Sequence, residues 1–274
     1  MSKPKVIPFS NMHEISEAGV FVKRFGQYGT VTMRPYAHRD DYYIVVVLTE
    51  GSAGVEIDFE RKELSAGEIM IVSPWQVHSK PSGEEWRADG WMLAFTPEML
   101  TEAEARVMDE YAISPRPFNP GNDVVGDIVA LCSMLGRNID NRRVATALTM
   151  AVKSFVLATV ASSDAGVSDR YKKITLRLRK LLDSHLKREK SPAAYASMLN
   201  ISEVYLNEAV KGTTGLSAGA YIRSRVIIEA RRQLTYSSKS AKEVAYSLGY
   251  DDYAYFSKLF KKWTGVSPAD YRLK

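Results

Sequence analysis

The sequence predicts an α+β chain of more than one domain, in which a β-barrel followed by helices precedes an all-helical domain. Short β-branched and aromatic runs occupy residues from about 28 to 95, and apolar residues at helical spacing occupy the chain from 98 onward. The charge also changes sign near residue 165. The composition, with 45% apolar and 25% charged residues among 274, excludes a disordered or collagen-like chain.

The charge is divided unevenly along the chain. Residues 1–165 contain 16 lysines and arginines against 22 aspartates and glutamates, a net charge of −6. Residues 166–274 contain 21 against 10, a net charge of +11. A basic domain of this kind is a candidate for binding a polyanion such as nucleic acid. The alternative is a solvated charged face, and charge alone does not separate the two interpretations.

The first part of the chain is strand-like. Its β-branched or aromatic runs are YGTVTMRP, YYIVVVLTEG, GVEIDFE, EIMIVSP and GWMLAF. Strands this short and closely spaced are typical of a sandwich or small barrel, here over about 20–96. Alternation in GVEIDFE predicts one buried and one solvated face, formed by Val55, Ile57 and Phe59 and by Glu56, Asp58 and Glu60.

Helices follow the barrel. Helical spacing covers 98–111, about 122–139 and 142–162, with Val144, Leu148, Val152 and Phe155 as an example of the apolar positions. The single cysteine, Cys132, excludes an intrachain disulfide framework and a cysteine-cluster metal site, and its apolar surroundings predict a buried thiol. The small, polar stretch 161–169 predicts a linker. The longest apolar run, IVVVL, is too short for a membrane span, and the polar N-terminus predicts a cytoplasmic protein.

The basic domain is predicted to be entirely helical. A first helix covers 171–188, with its apolar residues on one face. The later helices begin at capping residues, which are Ser191, Ser202, Ser217, Ser240, Asp251 and Ser267. Proline follows the first and last of these caps, as is favourable at the first helical position. The helix after Ser202 is predicted to end at about Lys211, and the one after Ser217 at about Tyr236.

Residues 191–221 and 240–271 form an internal repeat. The matching pairs at an offset of 49 are Ser191/Ser240, Ala196/Ala245 and Leu199/Leu248. The offset then becomes 50 for Leu206/Phe256, Val210/Phe260, Lys211/Lys261, Thr214/Thr264, Gly215/Gly265, Ser217/Ser267 and Tyr221/Tyr271. Each copy consists of a helix, a short turn and a capped helix. This is the arrangement of a helix-turn-helix, whose second helix enters the major groove of DNA.

The residue types of the repeat suit DNA binding. Ala196 and Ala245 are small enough for two helices to cross closely. In the later copy Phe256, Leu259 and Phe260 form an apolar face. The outside carries hydroxyl, small apolar and cationic groups suited to base edges and phosphates, namely Tyr253, Ala254, Ser257, Lys258 and Lys261. The alternative is a pair of ordinary amphipathic helices with solvated lysines.

The C-terminal stretch SAKEVAYSLGYDDYAYFSKLFKKWTGVSPADYR resembles the signature of the AraC/XylS family of bacterial transcription regulators. The matching pieces are VAYSLGY, Phe256, FKKWTGVSP and Tyr271-Arg272, and Tyr221–Leu234 is similar to the connecting helix of the family. The resemblance covers roughly 170–274. It implies two helix-turn-helix units in successive major-groove segments on one face of DNA. The implied contact residues of the later unit are Tyr253, Ala254, Ser257, Lys258 and Lys261.

In the earlier unit the resemblance implies contacts from Val204, Tyr205, Asn207, Glu208 and Lys211. This copy departs from the family pattern at three positions: Val210 replaces a usual Phe, Gly212 a frequent Lys and Glu208 a frequent Arg. Glu208 has two open interpretations, because its carboxylate can accept from a cytosine amine or simply repel phosphates.

The N-terminal region resembles the cupin-like sensor domain of many such regulators, through the segment 35–79 and the later WMLAFTPEML. Gly67-Glu68, Pro74 and His78 match its second motif. The resemblance implies a barrel whose mouth holds a small effector, and helices that mediate dimerisation. The candidate effector residues are His38, Tyr43, Trp75, His78 and Trp91. The alternative is that these aromatic side chains are simple core residues.

His38, Asp40 and His78 are of types that bind metals, and a catalytic metal site needs about three protein ligands and an open position. Asp40 replaces a second His, however, and Ile44 and Val45 stand where a Glu would complete the set. We therefore predict no metal and no cofactor. The expected roles are hydrogen bonds from the histidines at a turn and capping of local amides by Asp40.

The sequence contains no P-loop, nucleophile elbow, zinc-protease motif or dinucleotide fingerprint, so we predict no enzyme activity. We expect a cupin-like effector-binding and dimerisation domain over 1–160, a linker over 161–169 and a DNA-binding domain over 170–274. The predicted function is effector-responsive regulation of transcription at promoter DNA, with a homodimer formed through the N-terminal domain and a contact with RNA polymerase. The alternatives are a constitutive regulator with a ligand-free barrel and a metal-dependent cupin enzyme with a DNA-binding appendage.

Overall fold

The computed structural model describes residues 9–26, 37–80, 87–163 and 167–273. The chain divides into two compact units, within residues 8–165 and 166–274. The predicted strand YGTVTMRP lies outside the described residues, as do residues 164–166 of the predicted linker. The last helix of the first unit extends to Ser163 and the first helix of the second begins at Asp169, so both enter the stretch predicted as linker.

The first unit begins with a β-barrel of short strands around one long strand. The strands are β1 Phe9–Ser10, β2 Val20–Phe25, β3 Arg39–Asp40, β4 Tyr43–Ile57, β5 Glu60–Ser65, β6 Ile69–Val72, β7 His78–Ser79 and β8 Arg87–Phe95. A short helix, α1 Met12–Ile15, follows β1. The main sheet has the order β2-β8-β4-β5 and is antiparallel, and β6 and β7 also pair with β4. Strands β1 and β3 form a separate parallel pair.

Strand β4 joins two runs that the sequence separated. It passes through TEGSAG without a turn, with a register shift between Leu48 and Glu50 in its pairing with β8. The chain reverses at Asp58 and Phe59, both of which have positive φ. Val55 and Ile57 are buried as predicted, but the continuation of this face to Phe59 is wrong because Phe59 lies in the turn.

Both faces of β4 are covered, which explains its nearly continuous apolar sequence. Tyr43, Val45 and Val47 pack in a core shared with the following helices. The alternate residues Ile44, Val46 and Leu48 pack in a second core inside the barrel. Because successive side chains of a strand point to opposite sides, neighbouring residues of β4 belong to different cores.

The helices of the first unit are α2 Glu102–Tyr111, α3 Asn122–Arg137 and α4 Arg142–Ser163, after a 3₁₀ turn at Pro97–Met99. These confirm the three predicted helical stretches. Cys132 on α3 is 1% exposed, and burial raises the pKa of its thiol to about 12, which confirms the buried thiol. Glu104 opposes the buried Lys153 of α4, whose Nζ lies 2.9 Å from Oε2 and 2.8 Å from the carbonyl oxygen of Met99.

The buried face of α4 differs from the predicted one. Val152 is fully buried, but Val144 and Phe155 are each 37% exposed. The buried positions of α4 are Ala145, Thr149, Val152, Lys153, Val156, Leu157 and Val160. Residues 142–160 of α4 are long and apolar enough to cross a membrane, with a mean hydropathy of 1.4. The buried apolar residues of α4 pack in the core shared with the barrel, and other apolar residues of the helix are exposed.

The second unit is all-helical, as predicted. Its helices are α5 Asp169–His185, α6 Pro192–Met198, α7 Glu203–Thr214, α8 Ala218–Tyr236, α9 Ala241–Ser247, α10 Tyr253–Thr264 and α11 Pro268–Leu273. They enclose two cores, one around α5 to α7 and the start of α8, and one around the rest of α8 and α9 to α11. Five predicted caps are confirmed by side-chain hydrogen bonds, at Ser191, Ser202, Ser217, Ser240 and Ser267.

Three helices of this unit have boundaries that differ from the prediction. Helix α5 covers Asp169–His185 instead of the predicted 171–188. Asp252, not Asp251, caps α10, because its Oδ1 accepts from the amides of Ala254 and Tyr255. Helix α7 continues three residues beyond Lys211 and ends at Gly215, whose φ of 75° gives a left-handed cap.

Candidate nucleic-acid interface and barrel site

The pairs α6–α7 and α9–α10 are two helix-turn-helix units with the same turn. In the first, the amide of Ile201 donates to the carbonyl of Ala196 over 3.0 Å. In the second, the amide of Tyr250 donates to the carbonyl of Ala245 over the same distance. The two units diverge only after this bond, where Asp251 is inserted before the cap of α10. The inserted residue accounts for the change of repeat offset from 49 to 50.

The crossing of the two helices in each unit leaves little room. Ala196 is 2% exposed and Ala245 is fully buried. Gly249 follows α9 with a φ of 78°, and a Cβ built on it would lie 2.0 Å from the carbonyl oxygen of Lys187. The buried positions of Ala196 and Ala245 therefore favour small side chains, and the position of Gly249 requires a residue without a Cβ.

Helix α10 has the two faces that the sequence predicted. Phe256, Leu259 and Phe260 are buried in the second core. The opposite stripe, at i, i+3, i+4 and i+7 spacing, is exposed at Ala254, Lys258 and Lys261 and half-buried at Tyr253 and Ser257. The structure thus brings all five predicted contact residues of the later unit onto one surface, which we call the α10 face.

Helix α7 presents a smaller surface. Val204 is 70% exposed, and Glu208 and Lys211 are exposed on the following turns. Tyr205 instead packs edge-on against Tyr171 of α5, with ring centroids 5.9 Å apart. These three exposed residues, Val204, Glu208 and Lys211, form the α7 face.

Asn207 is engaged within the unit. Its Oδ1 accepts from the amide of Ala218 at the start of α8 over 3.0 Å, so this oxygen holds α8 against α7. Gly212, where the family often has Lys, would place a Cβ 2.9 Å from the ring of Tyr171. The departure from the family pattern at Gly212 and the packed position of Tyr205 therefore share one cause, the ring of Tyr171.

The sequence reasoning missed Tyr255. Its side chain is 56% exposed on the first turn of α10, and its ring stacks on that of Tyr250 with centroids 6.1 Å apart. By the offset of 50, Tyr255 is the counterpart of Tyr205, which was selected. The repeat could therefore have identified Tyr255 as a candidate contact residue. Tyr255 is exposed, whereas its counterpart Tyr205 is half-buried against Tyr171.

A set of side-chain contacts braces α10 from behind. The OH of Tyr271 accepts from Nε of Arg231 over 3.0 Å, and its ring packs edge-on against Phe260 at 5.4 Å. The guanidinium of Arg272 donates to the carbonyl of Lys239. Tyr271 and Arg272, which belong to the family signature, thus tie α11 to α8 and to the start of α9. Their role in the structure is to hold the α10 face in place.

The buried Gln233 of α8 provides a second brace. Its Oε1 accepts from the hydroxyl of Ser247 over 2.7 Å, and its amide donates to Glu229 over 2.8 Å. Burial raises the pKa of Glu229, but its hydrogen bonds with Arg232 and Gln233 outweigh this and hold the pKa below its usual value. The carboxylate therefore stays ionised and keeps α9 fixed to α8.

The two faces differ in charge. The exposed side of α10 carries Lys258, Lys261 and Lys262, and its acidic neighbours precede the helix. The α7 face carries Lys211 together with Glu208, and Glu203 lies at the start of that helix. The α10 face is therefore better suited to bind phosphate than the α7 face.

In the barrel, the five candidate effector residues do not form one site. Tyr43 stacks on Phe95 at 5.5 Å in the core shared with the helices, and Trp91 packs against the same core. His38 and His78 lie together at the other side of the sheet, and Trp75 lies beside them, 59% exposed with a φ of 67°. A cavity of about 10 Å³ borders His78 and is otherwise lined by Ile44, Val46, Val55, Leu64, Met70 and Val72.

The two histidines are held in register by the backbone. The amide of each donates to the carbonyl of the other, over 3.0 Å from His38 and 2.9 Å from His78, and the ring centroids are 4.2 Å apart. The Oδ2 atom of Asp40 lies 3.2 Å from Nε2 of His78 and 3.9 Å from Nε2 of His38. Asp40 therefore lies between two imidazoles.

The predicted capping role of Asp40 is wrong. Neither of its carboxylate oxygens has a hydrogen-bond partner of good geometry in the described part of the chain, and neighbouring Asp41 caps the amide of Met12 instead. Burial raises the pKa of Asp40, but its contacts with His78, His38 and Ser10 hold it below its usual value. The carboxylate is thus an ionised, buried group beside two rings.

Comparison with known proteins gives two family matches. Residues 20–152 match the AraC-like ligand binding domain, and residues 195–274 match a helix-turn-helix domain. The chain is similar to the HTH-type transcriptional activator RhaS of Salmonella arizonae, with 30% identity over 245 residues that cover 86% of each chain.

Solved structures give further similarities. The C-terminal domain of AraT, a response regulator from Geobacillus stearothermophilus, is 33% identical with a TM-score of 0.35, covering 36% of this chain and 84% of that one. ToxT from Vibrio cholerae O395 is 14% identical with a TM-score of 0.40, covering 93% of this chain and 96% of that one.

Proposed function

Because the chain belongs to the AraC/XylS family of transcription regulators, we propose that it binds promoter DNA with α7 and α10 in successive major-groove segments on one face of the duplex. The chain is a DNA-binding transcription regulator with a ligand-binding domain. The observation that carries the proposed geometry is the repeated turn, with the same hydrogen bond in both units and a solvent-exposed second helix after each.

We assign direct base contacts mainly to the centres of the two faces. Lys258 and Glu208 are exposed near the middle of α10 and α7, Ser257 lies half-buried beside Lys258, and Val204 is exposed on the first turn of α7. Lys211 and Lys261 lie one turn further along, where the groove edge places phosphates. Tyr205 and Asn207 act as supports rather than contacts, because one packs on Tyr171 and the other holds α8.

Selection of bound sequences from a random duplex library by the full-length protein, followed by footprinting, tests this assignment. We expect an enriched site with two conserved segments about one helical turn, roughly 10 base pairs, apart and protected on the same face. Enrichment of only one segment would mean that a single unit contacts bases. The absence of any enriched sequence would contradict the proposal.

The ligand-binding domain is proposed to respond to a small molecule. Among the residues that the structure describes, the barrel interior beside His78 has a cavity of only about the volume of one water. A larger effector that entered there would displace lining side chains such as Met70. The packed barrel and the barrel with displaced side chains are then two states, and a ligand that binds the second shifts the population towards it. A thermal-shift screen of small metabolites would identify such a ligand.

The first unit is also proposed to form a homodimer through α4. Its exposed apolar residues lie at helical spacing and include Val144, Ala147, Met150 and Phe155. Contiguous apolar surface of this kind marks interaction sites in soluble proteins. We further propose a cytoplasmic location and contact with RNA polymerase, because the curated relatives are transcriptional activators. The proposal assigns no catalytic step to the chain.

A further inference from the structure

We propose that His38, Asp40 and His78 bind a divalent first-row transition-metal ion, with Zn²⁺ as the best match to two imidazoles and one carboxylate. Each residue offers one ligand atom, the three atoms lie within 4.8 Å of one another, and all three residues are buried. This inference replaces the prediction of no metal, which rested on residue types alone. It is independent of how the second unit binds DNA.

The hydrogen bonding of His78 determines which of its nitrogens carries the proton. Its Nδ1 lies 3.1 Å from the carbonyl oxygen of Gln76. A carbonyl can only accept, so Nδ1 carries the hydrogen and donates. The second ring nitrogen, Nε2, faces Oδ2 of Asp40 at 3.2 Å. A cation between these two atoms, whether a proton or a metal ion, would bind both of them.

A metal ion fits this position better than a single proton. A proton on Nε2 would form a hydrogen bond, but neither this nitrogen nor either oxygen of Asp40 has such a bond with good geometry in the described residues. Nε2 of His38 also approaches the same oxygen, at 3.9 Å. One proton bridges two atoms, whereas a metal ion binds all three.

The separations suit tetrahedral coordination after a small adjustment. Ligand atoms at about 2.0–2.1 Å from Zn²⁺ lie about 3.3 Å from one another. The separation of His78 Nε2 from Asp40 Oδ2, 3.2 Å, is close to this value. Nε2 of His38 lies 3.9 Å from Oδ2 of Asp40, and the three ligand atoms lie within 4.8 Å of one another, so His38 has to move closer to complete the set.

The surroundings hold the ligands as metal sites require. The carbonyl of Gln76 orients His78, and the side-chain oxygen of Gln76 is itself fixed by the amide of Ser73 at 2.8 Å. Such outer contacts orient ligands and strengthen metal binding. The backbone hydrogen bonds between His38 and His78 hold the two residues side by side, so both rings start from fixed backbone positions.

Titration with Co²⁺, a coloured substitute for Zn²⁺, tests the site in the full-length protein after treatment with a chelator. We expect one equivalent to bind, with visible absorption of a tetrahedral nitrogen and oxygen site that Zn²⁺ abolishes. Zn²⁺ should also raise the Tm, because a ligand that binds only the folded state stabilises it. Less than a quarter of an equivalent bound by the wild-type protein would overturn the proposal.

Variants identify the ligands. Asp40→Asn and His78→Gln keep the backbone pair and should each weaken Co²⁺ binding by more than about tenfold, with a far-ultraviolet circular dichroism spectrum like that of the wild type. The matched controls are His13→Gln and His185→Gln, which remove the two histidines outside the site and should bind Co²⁺ normally. Unchanged binding by both site variants, or loss of binding in the controls, would overturn the assignment.

Discussion

Glu208 and Lys258 occupy equivalent positions in the two helix-turn-helix units, fifty residues apart, and both side chains are exposed. Each lies opposite the buried apolar face of its helix, which is formed by Leu206 and Val210 in α7 and by Phe256 and Phe260 in α10. The same position in the repeat therefore presents an anion to DNA in one unit and a cation in the other.

Glu208→Gln is expected to relax discrimination at one base pair, because a carboxylate in the groove accepts from a cytosine amine. The free-energy difference between the preferred and the other bases at that position should fall by about 1–3 kcal/mol. Competition binding with single-base variants of the selected site measures this. The matched control is Glu203→Gln on the first turn of the same helix, which should tighten binding to all sequences alike. Uniform tightening by Glu208→Gln would instead identify Glu208 as a carboxylate that only repels phosphates.

Gly249→Ala is expected to destabilise the second unit by about 3 kcal/mol, because left-handed backbone strain adds to a Cβ 2.0 Å from the carbonyl oxygen of Lys187. The control is Gly265→Ala, which has the same φ of 78° but no atom within 4 Å of the added Cβ. It should cost only the strain, about 1–2 kcal/mol. Urea unfolding of both variants gives the difference, and equal losses would show that packing at Gly249 contributes nothing.

The pair Glu104–Lys153 predicts a pH dependence of stability. Burial raises the pKa of Glu104, but contacts with Lys153 and Thr101 hold it below its usual 4.5. A carboxyl with a lowered folded pKa contributes stability that is complete above the unfolded pKa and is lost as the pH falls through the lower folded value. Lys153→Met should therefore cost about 1–2 kcal/mol at neutral pH and progressively less below pH 4.5.

Urea unfolding of Lys153→Met at several pH values checks this. The control is Arg106→Met, which removes the exposed pair of Arg106 with Glu102, 3.9 Å apart on the same α2. An exposed pair contributes little, so this variant should lose less than about 0.5 kcal/mol. A difference between wild type and Lys153→Met that does not narrow in acid would contradict the assigned role of Glu104.

Met150→Glu and Phe155→Glu are expected to shift the protein from dimer to monomer, since each places a charge on the exposed apolar side of α4. Light scattering after size-exclusion chromatography measures the mass. Arg142→Glu, a charge change at the exposed start of the same helix, is the control and should remain dimeric. A wild-type protein that is monomeric at all concentrations would remove the basis of the proposed dimer.

Local patterns in the sequence predicted the second unit well because its helices begin at capping side chains and its repeat fixes equivalent positions. The α10 face is an example, since the spacing of Phe256 and Phe260 alone determines which side is exposed. The functions of Tyr205 and Asn207 could not be predicted in this way. Their partners, Tyr171 and Ala218, lie on other helices, and only the packing of α5 and α8 reveals them.

The first unit shows a different limit. Strand β5 is mostly charged, with the sequence ERKELS, and Lys23 and Arg24 interrupt the apolar residues of β2. Neither segment therefore has the long apolar run from which a strand is predicted. Their pairing with β8 and β4 supplies what the local sequence does not. The site at Asp40 is similar, because the approach of His38 and His78 depends on pairing between segments about forty residues apart. Residue types alone suggested an incomplete ligand set, whereas the geometry joins three atoms.

The most direct test of the account is fluorescence anisotropy of the selected duplex with Lys258→Ala, measured over a range of salt concentrations. We predict weaker binding by about 1–3 kcal/mol, relaxed discrimination at one or two base pairs, and a salt slope reduced by about one. Lys173→Ala, at an exposed position of α5, is the control and should retain full discrimination. Unchanged affinity and sequence preference in Lys258→Ala would contradict the claim that the α10 face contacts the bases of the promoter.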